Sequence, residues 1–231
     1  MTHWRPIGVI GGMGPVATAD FMARLVAAVG AARDADHPRV FVDCNPQVPD
    51  RNDASAGQGA APGAVLAAMA QGLVAQGAEI LAMPCNAAHG WADAIVAATP
   101  ARFVSMIDAA VAAAVAQGAK RVGIMAVGAT LDARLYQDRL AAAGIASLDC
   151  DRAVVQPLVT AIKAGDTGPA VGAALAAEAA RLAAVGADAV IAACTEIPLA
   201  LGAADVPVAF IDATGALVAA TLAAADQRSA A

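Results

Sequence analysis

The sequence predicts an α/β fold of two similar domains, each a mostly parallel sheet flanked by helices, related by pseudo-twofold symmetry with a cleft between them. Three observations support it: an internal repeat, short apolar runs alternating with helical patterns, and a cysteine ending one such run in each half. Residues 77–85 align without a gap on residues 186–194, which places Cys85 on Cys194. Self-similarity in a fixed order indicates equivalent structural halves. Two shorter pairs recur in the same order, 7–10 with 122–125 and 104–109 with 208–213.

Composition excludes several classes of protein. The chain is 59% hydrophobic, only 3% aromatic, and carries a net charge of −6 without a lysine or arginine cluster, so we expect no nucleic-acid partner. Residues 54–78 are uncharged, but their glutamines, glycines and Pro62 favour a helix with one buried face over a membrane span. The four cysteines lack the short spacings of a disulfide framework or a zinc site, which predicts a reduced, cytoplasmic protein with no metal.

The first half alternates strands and helices. Pro15 suits the first position of a helix, where its missing N–H would be unpaired anyway, and Gly77 suits a helix end. In the long segment 44–63, the two prolines within residues 45–51 restrict the backbone, which favours an ordered, functional loop. The predicted elements are strand 6–12, helix 15–29, strand 39–43, helix 64–76, strand 79–83, helix 87–98 and strand 103–107.

The second half repeats this alternation, which predicts parallel sheets. Ligands of such sheets bind beyond the carboxyl ends of the strands, where both Cys85 and Cys194 would lie. We place one domain at residues 1–105 plus 212–231 and the other at 106–211. The predicted elements are helix 109–117, strand 121–126, helix 131–143, strand 145–149, helices 153–164 and 169–185, strands 188–192 and 206–211, and a last helix from 214.

A glycine turn at residues 12–17 satisfies the dinucleotide-binding pattern G-x-G-x-x-[GA] between a strand and a helix. Asp43 could then serve as the acid that binds the ribose. The corresponding stretch 126–128 in the second half lacks the pattern, which favours a turn beside some other anionic ligand. A nucleotide-dependent enzyme remains one alternative.

The cysteines divide into two kinds. Cys44 and Cys150 are predicted to be small buried apolar side chains, as cysteine often is. Cys85 and Cys194 each stand between a strand and a helix, where the helix N-terminus favours a thiolate and attracts a carboxylate. Two such thiols on opposite sides of a bound carbon could remove a proton from one face and return one to the other.

Four other charged or polar side chains are candidates for the site. His89 could pair with the Cys85 thiol, although a structural role is favoured. Arg51, on the long loop, could be a solvated charge or a bidentate donor to an acidic ligand. Lys163 fits the end of a helix, and Glu196 could orient the Cys194 thiol, bind a substrate ammonium or lie in the first turn of a helix.

Five stretches together resemble the cofactor-independent aspartate racemases of the Asp/Glu racemase superfamily. They are GGMGPVAT (11–18), NPQVPDR (45–51), MPCNAAH (83–89), LYQDRL (135–140) and CTEIPL (194–199). The resemblance covers essentially the whole chain. It implies an active site in a cleft between two α/β domains and a two-base mechanism that needs neither pyridoxal phosphate nor a metal.

The resemblance also implies roles for individual residues. The acid/base pair would be Cys85 and Cys194, with Cys194 taking the proton of the L-enantiomer and Cys85 that of the D-enantiomer. Ala87 stands where the family usually has threonine, and 127–129 replaces adjacent threonines, leaving Thr130 as the hydroxyl there. The implied substrate-binding residues are Asn86 and Thr195 for the α-carboxylate, Arg51 and Lys163 for the side-chain carboxylate, and Met13, Gly14, Ala87, Thr130 and Glu196 for the rest of the pocket.

Several functions remain open at this stage. The best supported is an aspartate racemase that acts as a homodimer on a small acidic amino acid. Within the superfamily, the alternatives are a glutamate-type or broad-specificity racemase, a hydantoin racemase, a maleate isomerase or an arylmalonate decarboxylase. An amino-acid-binding protein without catalysis is a further alternative.

Overall fold

The computed structural model describes residues 3–230 of the chain, with side chains as far as Arg228. The chain divides into two compact units. Unit 1 comprises the residues up to Met106 together with those from Thr214 onward, and unit 2 comprises Ile107–Ala213. Unit 2 is therefore an insertion within the chain of unit 1.

Unit 1 is built on a four-stranded sheet whose neighbouring strands are all parallel, in the order β2-β1-β3-β4. The strands are β1 (Ile7–Gly11), β2 (Val40–Cys44), β3 (Ile80–Ala82) and β4 (Arg102–Val104). The helices are α1 (Pro15–Val29), α2 (Arg51–Ser55), α3 (Gly63–Ala75), α4 (Ala92–Ala98), α10 (Ala213–Ala225) and the 3₁₀ helices Asp34–Asp36, Ala87–Trp91 and Gln227–Ala230.

The core of unit 1 surrounds β1, whose five residues are all buried. A strand covered on both faces reads as a continuous apolar run, and this one reads IGVIG. Gly8 allows close packing, because a methyl group there would come within 2.8 Å of Leu81 and 3.2 Å of Leu73. Helix α3 can therefore lie directly against the sheet.

The two segments of unit 1 that flank the insertion join at their outer ends. Trp4 forms an antiparallel bridge with Asp226. The Arg5 N–H donates to the carbonyl of Ala225 at 2.8 Å, and the Gln227 N–H donates to the carbonyl of His3 at 2.9 Å. These contacts attach the last part of the described chain to its first part.

Unit 2 repeats the sheet of unit 1, with four parallel strands in the equivalent order β6-β5-β7-β8. The predicted fold class, two mostly parallel sheets flanked by helices, is confirmed. The strands are β5 (Arg121–Met125), β6 (Ala146–Asp149), β7 (Ala189–Ala192) and β8 (Ala209–Asp212). The helices are α5 (Met106–Ala116), α6 (Gly128–Asp132), α7 (Gln137–Ala142), α8 (Arg152–Lys163), α9 (Pro169–Ala184) and the 3₁₀ helices Ile197–Leu199 and Ala203–Asp205.

Several predicted elements differ from the structure. The strand predicted over 103–107 ends at Val104 because α5 begins at Met106, and the strand predicted over 206–211 begins at Ala209. The helix predicted over 131–143 is two helices, because Arg134 adopts a positive φ of 51° that ends the first. The helix predicted over 87–98 starts as a 3₁₀ helix and becomes α-helical at Ala92. The loop predicted over 44–63 contains the short helix α2. The N–H groups of Asn52 and Asp53, in its first turn, donate hydrogen bonds to the Asp50 side chain.

No helix among residues 3–230 is long and apolar enough to cross a membrane.

Candidate active site

Cys85 and Cys194 each follow a strand of their unit, whereas Arg51, Thr130 and Lys163 lie on helices. In unit 1, the connections after β1 and β2 touch. The Asn45 N–H donates to the carbonyl of Gly11 at 3.3 Å. Gly12 has a φ of +93°, and a methyl group there would lie 2.4 Å from the Asn45 backbone. Only glycine fits this position.

The glycine turn satisfies its own polar groups. The Gly12 N–H donates to Thr18 Oγ1 at 2.9 Å, and that hydroxyl donates to the carbonyl of Gly14 at 3.0 Å. An amide used in this way does not cradle a phosphate, so the turn does not favour the nucleotide alternative. The turn instead places Met13 in the buried apolar cluster that also contains Val48 and Cys85.

Cys85 follows β3 in a tight turn. Its N–H donates to the carbonyl of Met83 at 2.8 Å, and the 3₁₀ helix Ala87–Trp91 begins two residues later. Cys85, Asn86 and Ala87 are all buried. These residues therefore lie inside unit 1 just beyond the carboxyl end of β3. Ligands of parallel α/β sheets bind at this end of the strands.

The His89 side chain forms a hydrogen bond with this turn. Its Nδ1 lies 2.8 Å from the Cys85 carbonyl oxygen, and its Nε2 accepts the N–H of Met106 at 3.0 Å. The His89 ring also contacts the Phe103 ring, with centroids 5.5 Å apart. Sequence analysis favoured a structural role for His89, but it could not reveal the contact with Met106, which lies 17 residues along the chain.

Arg51 is anchored beside the Cys85 motif. It begins helix α2, which contacts the 3₁₀ helix Ala87–Trp91. Its Nη1 donates to the carbonyls of Val48 and Pro49 at 3.2 and 3.1 Å. Arg51 is half-buried. Within residues 3–230, its side chain donates hydrogen bonds through Nη1 alone, so Nη2 and Nε remain for a ligand.

In unit 2, Cys194 follows β7 and lies against an acid. The Cys194 thiol and the Thr195 hydroxyl both donate to Glu196 Oε2, each at 3.0 Å. All three residues are buried, and Glu196 is only 4% exposed. Glu196 therefore contacts the thiol, and it also directly precedes the 3₁₀ helix Ile197–Leu199.

The environment of Cys194 favours its protonated form. Burial is the largest cause that raises the pKa of the Cys194 thiol well above its ordinary value, and the charge of Glu196 with its hydrogen bond raises the pKa further. The positive charge of Lys163, at the end of α8, acts in the opposite direction. Lys163 is exposed and is close enough to influence the thiol.

Two other polar residues of unit 2, Thr130 and Tyr136, are buried. Thr130 is fully buried on α6, and its Oγ1 has no hydrogen-bond partner within residues 3–230. Tyr136, whose side chain is completely buried, was not among the predicted site residues. Burial raises the pKa of Tyr136 far above its ordinary range, and the charged forms of Cys194 and Asp212 raise it further. The motif LYQDRL was the signal that could have identified Tyr136.

The remaining cysteines differ from each other. Cys150 is buried as predicted, and its thiol donates to the carbonyl of Ala126 at 3.5 Å. The prediction for Cys44 is wrong, because this residue ends the edge strand β2 and is exposed. Among residues 3–230, no group of three or more His, Cys, Asp or Glu side chains is arranged to hold a metal ion.

Comparison with known proteins gives a consistent result. Residues 10–221 match the family model described as Asp/Glu/Hydantoin racemase. The structure of an aspartate racemase from Picrophilus torridus is 28% identical, with a TM-score of 0.87 over 95% of this chain and 94% of that chain. Structures below 25% identity also share the fold. Two of them are a putative Asp/Glu racemase from Yersinia pestis (23% identity, TM-score 0.79, 95% and 98% covered) and a glutamate racemase from Francisella tularensis in complex with D-glutamate (19%, 0.67, 94% and 79%).

Proposed function

The chain belongs to the Asp/Glu/hydantoin racemase family, and from that premise we propose that it racemises an acidic amino acid, aspartate in the first place, without an added cofactor. Family membership makes the protein an isomerase. The choice of aspartate is supported by the similarity to the Picrophilus torridus enzyme and by Arg51 and Lys163, two cations that suit a second carboxylate. The two acid/base groups are Cys85 and Cys194.

The proposed reaction exchanges one proton for another. One cysteine, as thiolate, takes the α-proton, and the electron pair of the broken C–H bond moves into the α-carboxylate. The opposite thiol then gives its proton to the other face of the α-carbon and becomes the thiolate. The substrate is inverted, and the two cysteines have exchanged protonation states.

The observation that carries this proposal is the hydrogen bond from the Cys194 thiol to the buried carboxylate of Glu196. Burial raises the pKa of the Cys194 thiol, so its thiolate is a strong base but is scarcely populated unless another group takes the proton. We assign the Glu196 carboxylate, 3.0 Å away, to accept the thiol proton when the substrate is bound, so that this proton need not pass through bulk water. The Thr195 hydroxyl donates to the same oxygen and holds that carboxylate in place.

Charge that develops on the α-carboxylate needs hydrogen-bond donors that are already in position. We assign this role to the side-chain amide of Asn86 and the backbone N–H of Thr195, each of which follows a catalytic cysteine directly, since the Thr195 hydroxyl already donates to Glu196. For the side-chain carboxylate we assign the Nη2 and Nε groups of Arg51 together with Lys163. Arg51 is suited to this role because its Nη1 is already fixed to the backbone of its own loop.

Single cysteine variants test the mechanism. Cys85→Ser and Cys194→Ser are each incubated with L- and D-aspartate in D₂O, and both inversion and deuterium incorporation at Cα are measured. We expect each variant to lose racemisation by about 10³-fold or more, since a general acid or base contributes roughly 10²–10⁴-fold. Each variant should still exchange the α-proton of one enantiomer, L-aspartate for Cys85→Ser and D-aspartate for Cys194→Ser.

Cys44→Ser is the matched control, since Cys44 is exposed on an edge strand, and it should racemise like the unmodified chain. Inversion at a normal rate by either single variant would exclude the two-base mechanism. If both variants exchanged the same enantiomer, the division of labour between the cysteines would be wrong.

The substrate is tested with the unmodified chain and with Arg51→Ala. Aspartate should react faster than glutamate and much faster than asparagine, which lacks the second negative charge. Loss of a charged hydrogen bond costs about 1.5–3 kcal/mol, so Arg51→Ala should reduce kcat/KM for aspartate by roughly 10–100-fold while asparagine changes little. Arg102→Ala, at an exposed arginine of the same unit, is the control. Equal rates for aspartate and asparagine would refute an acidic substrate.

A further inference from the structure

We propose that His89 is a positioning residue for Cys85. Its imidazole holds the Cys85 carbonyl and thereby fixes the turn that carries the thiol. This inference rests on the proposed function, because it concerns one of the two catalytic cysteines. His89 would then affect only the half of the reaction in which Cys85 transfers the proton.

The hydrogen bonds define the form of the His89 ring. A backbone N–H can only donate, so the contact from Met106 requires Nε2 without a proton. A carbonyl oxygen can only accept, so Nδ1 carries the proton and donates to Cys85 at 2.8 Å. The ring is therefore the neutral Nδ1–H tautomer. A second proton on Nε2 would face the N–H of Met106, donor against donor.

The ring is fixed at both ends and along one side. His89 is 8% exposed, Met106 is fully buried, and the Phe103 ring packs against the imidazole. Met106 is the first residue of α5, so the imidazole connects the Cys85 turn to the start of a helix. Displacement of a reacting group by about 1 Å can cost 10²-fold in rate, which makes such a connection relevant to catalysis.

Unit 2 lacks a counterpart to this connection. In the aligned repeat, Pro198 stands where unit 1 has His89, and proline has neither an imidazole nor an N–H. The Cys194 carbonyl accepts the N–H of Ile197 instead, at 3.1 Å. Loss of the His89 imidazole should therefore affect proton transfer at Cys85 and not at Cys194.

Two substitutions separate the two contacts of the ring. In His89→Asn, the side-chain amide nitrogen occupies the place of Nδ1 and can still donate to the Cys85 carbonyl. In His89→Gln, the amide reaches the place of Nε2, so its oxygen can accept the N–H of Met106 but the contact with Cys85 is lost. The pair therefore distinguishes positioning of Cys85 from attachment of α5.

Each substitution is combined with Cys194→Ser, so that only Cys85 can exchange the α-proton in D₂O. In a second background it is combined with Cys85→Ser, so that only Cys194 can do so. With Cys85 acting, His89→Gln should lower kcat for exchange by roughly 10–100-fold with little change in KM, and His89→Asn by no more than a few-fold. With Cys194 acting, His89→Gln should not produce this loss. His37→Gln, at a half-buried histidine elsewhere in unit 1, is the matched control in both backgrounds.

Alkylation of the thiols provides a readout that needs no turnover. The rates at which iodoacetamide modifies Cys85 and Cys194 are followed by peptide mass spectrometry in His89→Asn and His89→Gln, each with wild-type cysteines. We expect His89→Gln to change the Cys85 rate several-fold and leave the Cys194 rate unchanged, and His89→Asn to change neither. Thermal unfolding of both variants shows that they are folded. Should His89→Gln not fold, His89→Ala takes its place, with restoration of the Cys85 rate by added imidazole as the expected result.

The inference is overturned if His89→Gln slows exchange equally at both cysteines, or at neither, or if His89→Asn is as slow as His89→Gln. An unchanged Cys85 alkylation rate in His89→Gln overturns it as well. Failure of the proposed function looks different, since the parent Cys85→Ser and Cys194→Ser variants would then show no one-sided exchange before His89 is altered. In that case the alkylation rates still decide whether His89 positions Cys85.

Discussion

The Cys85 and Cys194 turns occupy the same place in their sheets but differ in the polar groups around them. Both cysteines follow the third strand of the sheet order and precede a 3₁₀ helix. The Cys194 turn brings a carboxylate to the sulfur, whereas the aligned position in the Cys85 turn is Ala87. The Cys85 turn is instead held by the imidazole of His89. The repeat thus preserves the place of each thiol after its strand while the polar groups around the two turns differ.

This difference has a chemical consequence. A racemase must take protons from both faces of the substrate, but the two faces of a chiral carbon bearing different groups are not equivalent. Two different proton routes are therefore no disadvantage, provided that each thiol can cycle between its protonated and ionised forms. The three predictions that follow test how far the surroundings of the two units differ.

The largest effect is expected for Glu196→Gln. Glutamine can accept a hydrogen bond from Cys194 but cannot take its proton, so exchange by the Cys85→Ser variant should fall by about 100-fold at neutral pH. Removal of the negative charge lowers the pKa of Cys194, but burial, the largest cause of the raised pKa, remains. The residual exchange should therefore rise with pH as the thiol ionises directly.

Exchange of L- and D-aspartate across pH 6–10, measured by NMR, checks the Glu196 prediction. Glu79→Gln, at an exposed carboxylate, is the control. Exchange through Cys85 should change little in Glu196→Gln, and an equal loss at both cysteines would remove the contrast between the two turns.

An intermediate effect concerns the second pair of cysteines, at the ends of β2 and β6. Burial, followed by the charges of Glu178 and Asp149, raises the pKa of Cys150 to about 11 from an ordinary value of 9.0. A thiol whose pKa is raised on folding contributes stability below the unfolded value and loses it as pH rises through the folded value. The free energy of unfolding should therefore fall by roughly 2–3 kcal/mol between pH 9 and pH 11 because of Cys150 alone.

Urea unfolding at several pH values between 8 and 11.5 measures this loss. Cys150→Ala is less stable at every pH because it leaves a cavity, but its stability should decline less steeply over this window. Cys44→Ala, at the exposed cysteine of unit 1, should retain the slope of the unmodified chain. Parallel slopes in all three proteins would contradict the buried-thiol interpretation.

The smallest effect is expected for Lys163→Met. Lys163 lowers the pKa of Cys194, so its removal should move the pH midpoint of Cys194 alkylation upward. Because Lys163 is exposed and screened by solvent, the change should be less than about one pH unit and should shrink in 1 M salt. The chain has one other lysine, Lys120, also exposed, and Lys120→Met should leave the midpoint unchanged. A downward movement in Lys163→Met would contradict the assigned sign.

Sequence alone was sufficient for the features that depend on local pattern. The strands, most helices and the placement of both cysteines at strand ends followed from apolar runs, glycine and proline positions and the repeat. The five residues of α2 are too few for a helical period, although Asp50 ahead of Asn52 and Asp53 is a capping signal. The homodimer and the cytoplasmic location stay predictions.

Features that depend on distant contacts could not be predicted in the same way. The positive φ of Arg134 lies at a residue other than glycine, so no local pattern marks the break in the helix predicted over 131–143. Glu196 had three plausible orientations, and the choice depends on which polar atoms lie near it after folding. The exposure of Cys44 depends on which strand is at the edge of the sheet. The strands that decide the edge position of β2 are remote from Cys44 in sequence, whereas the neighbours of Glu196 are adjacent but take their positions only after folding.

The bridge between Trp4 and Asp226 makes the protein suited to circular permutation. Because these residues pair, a short linker could join the two ends of the chain, and new ends could be opened between β4 and α5. The rearranged chain would run through all of unit 2 first and then through all of unit 1, so each unit would be encoded without interruption. The two units could then be produced as separate polypeptides and mixed, which would reveal whether either one folds without the other.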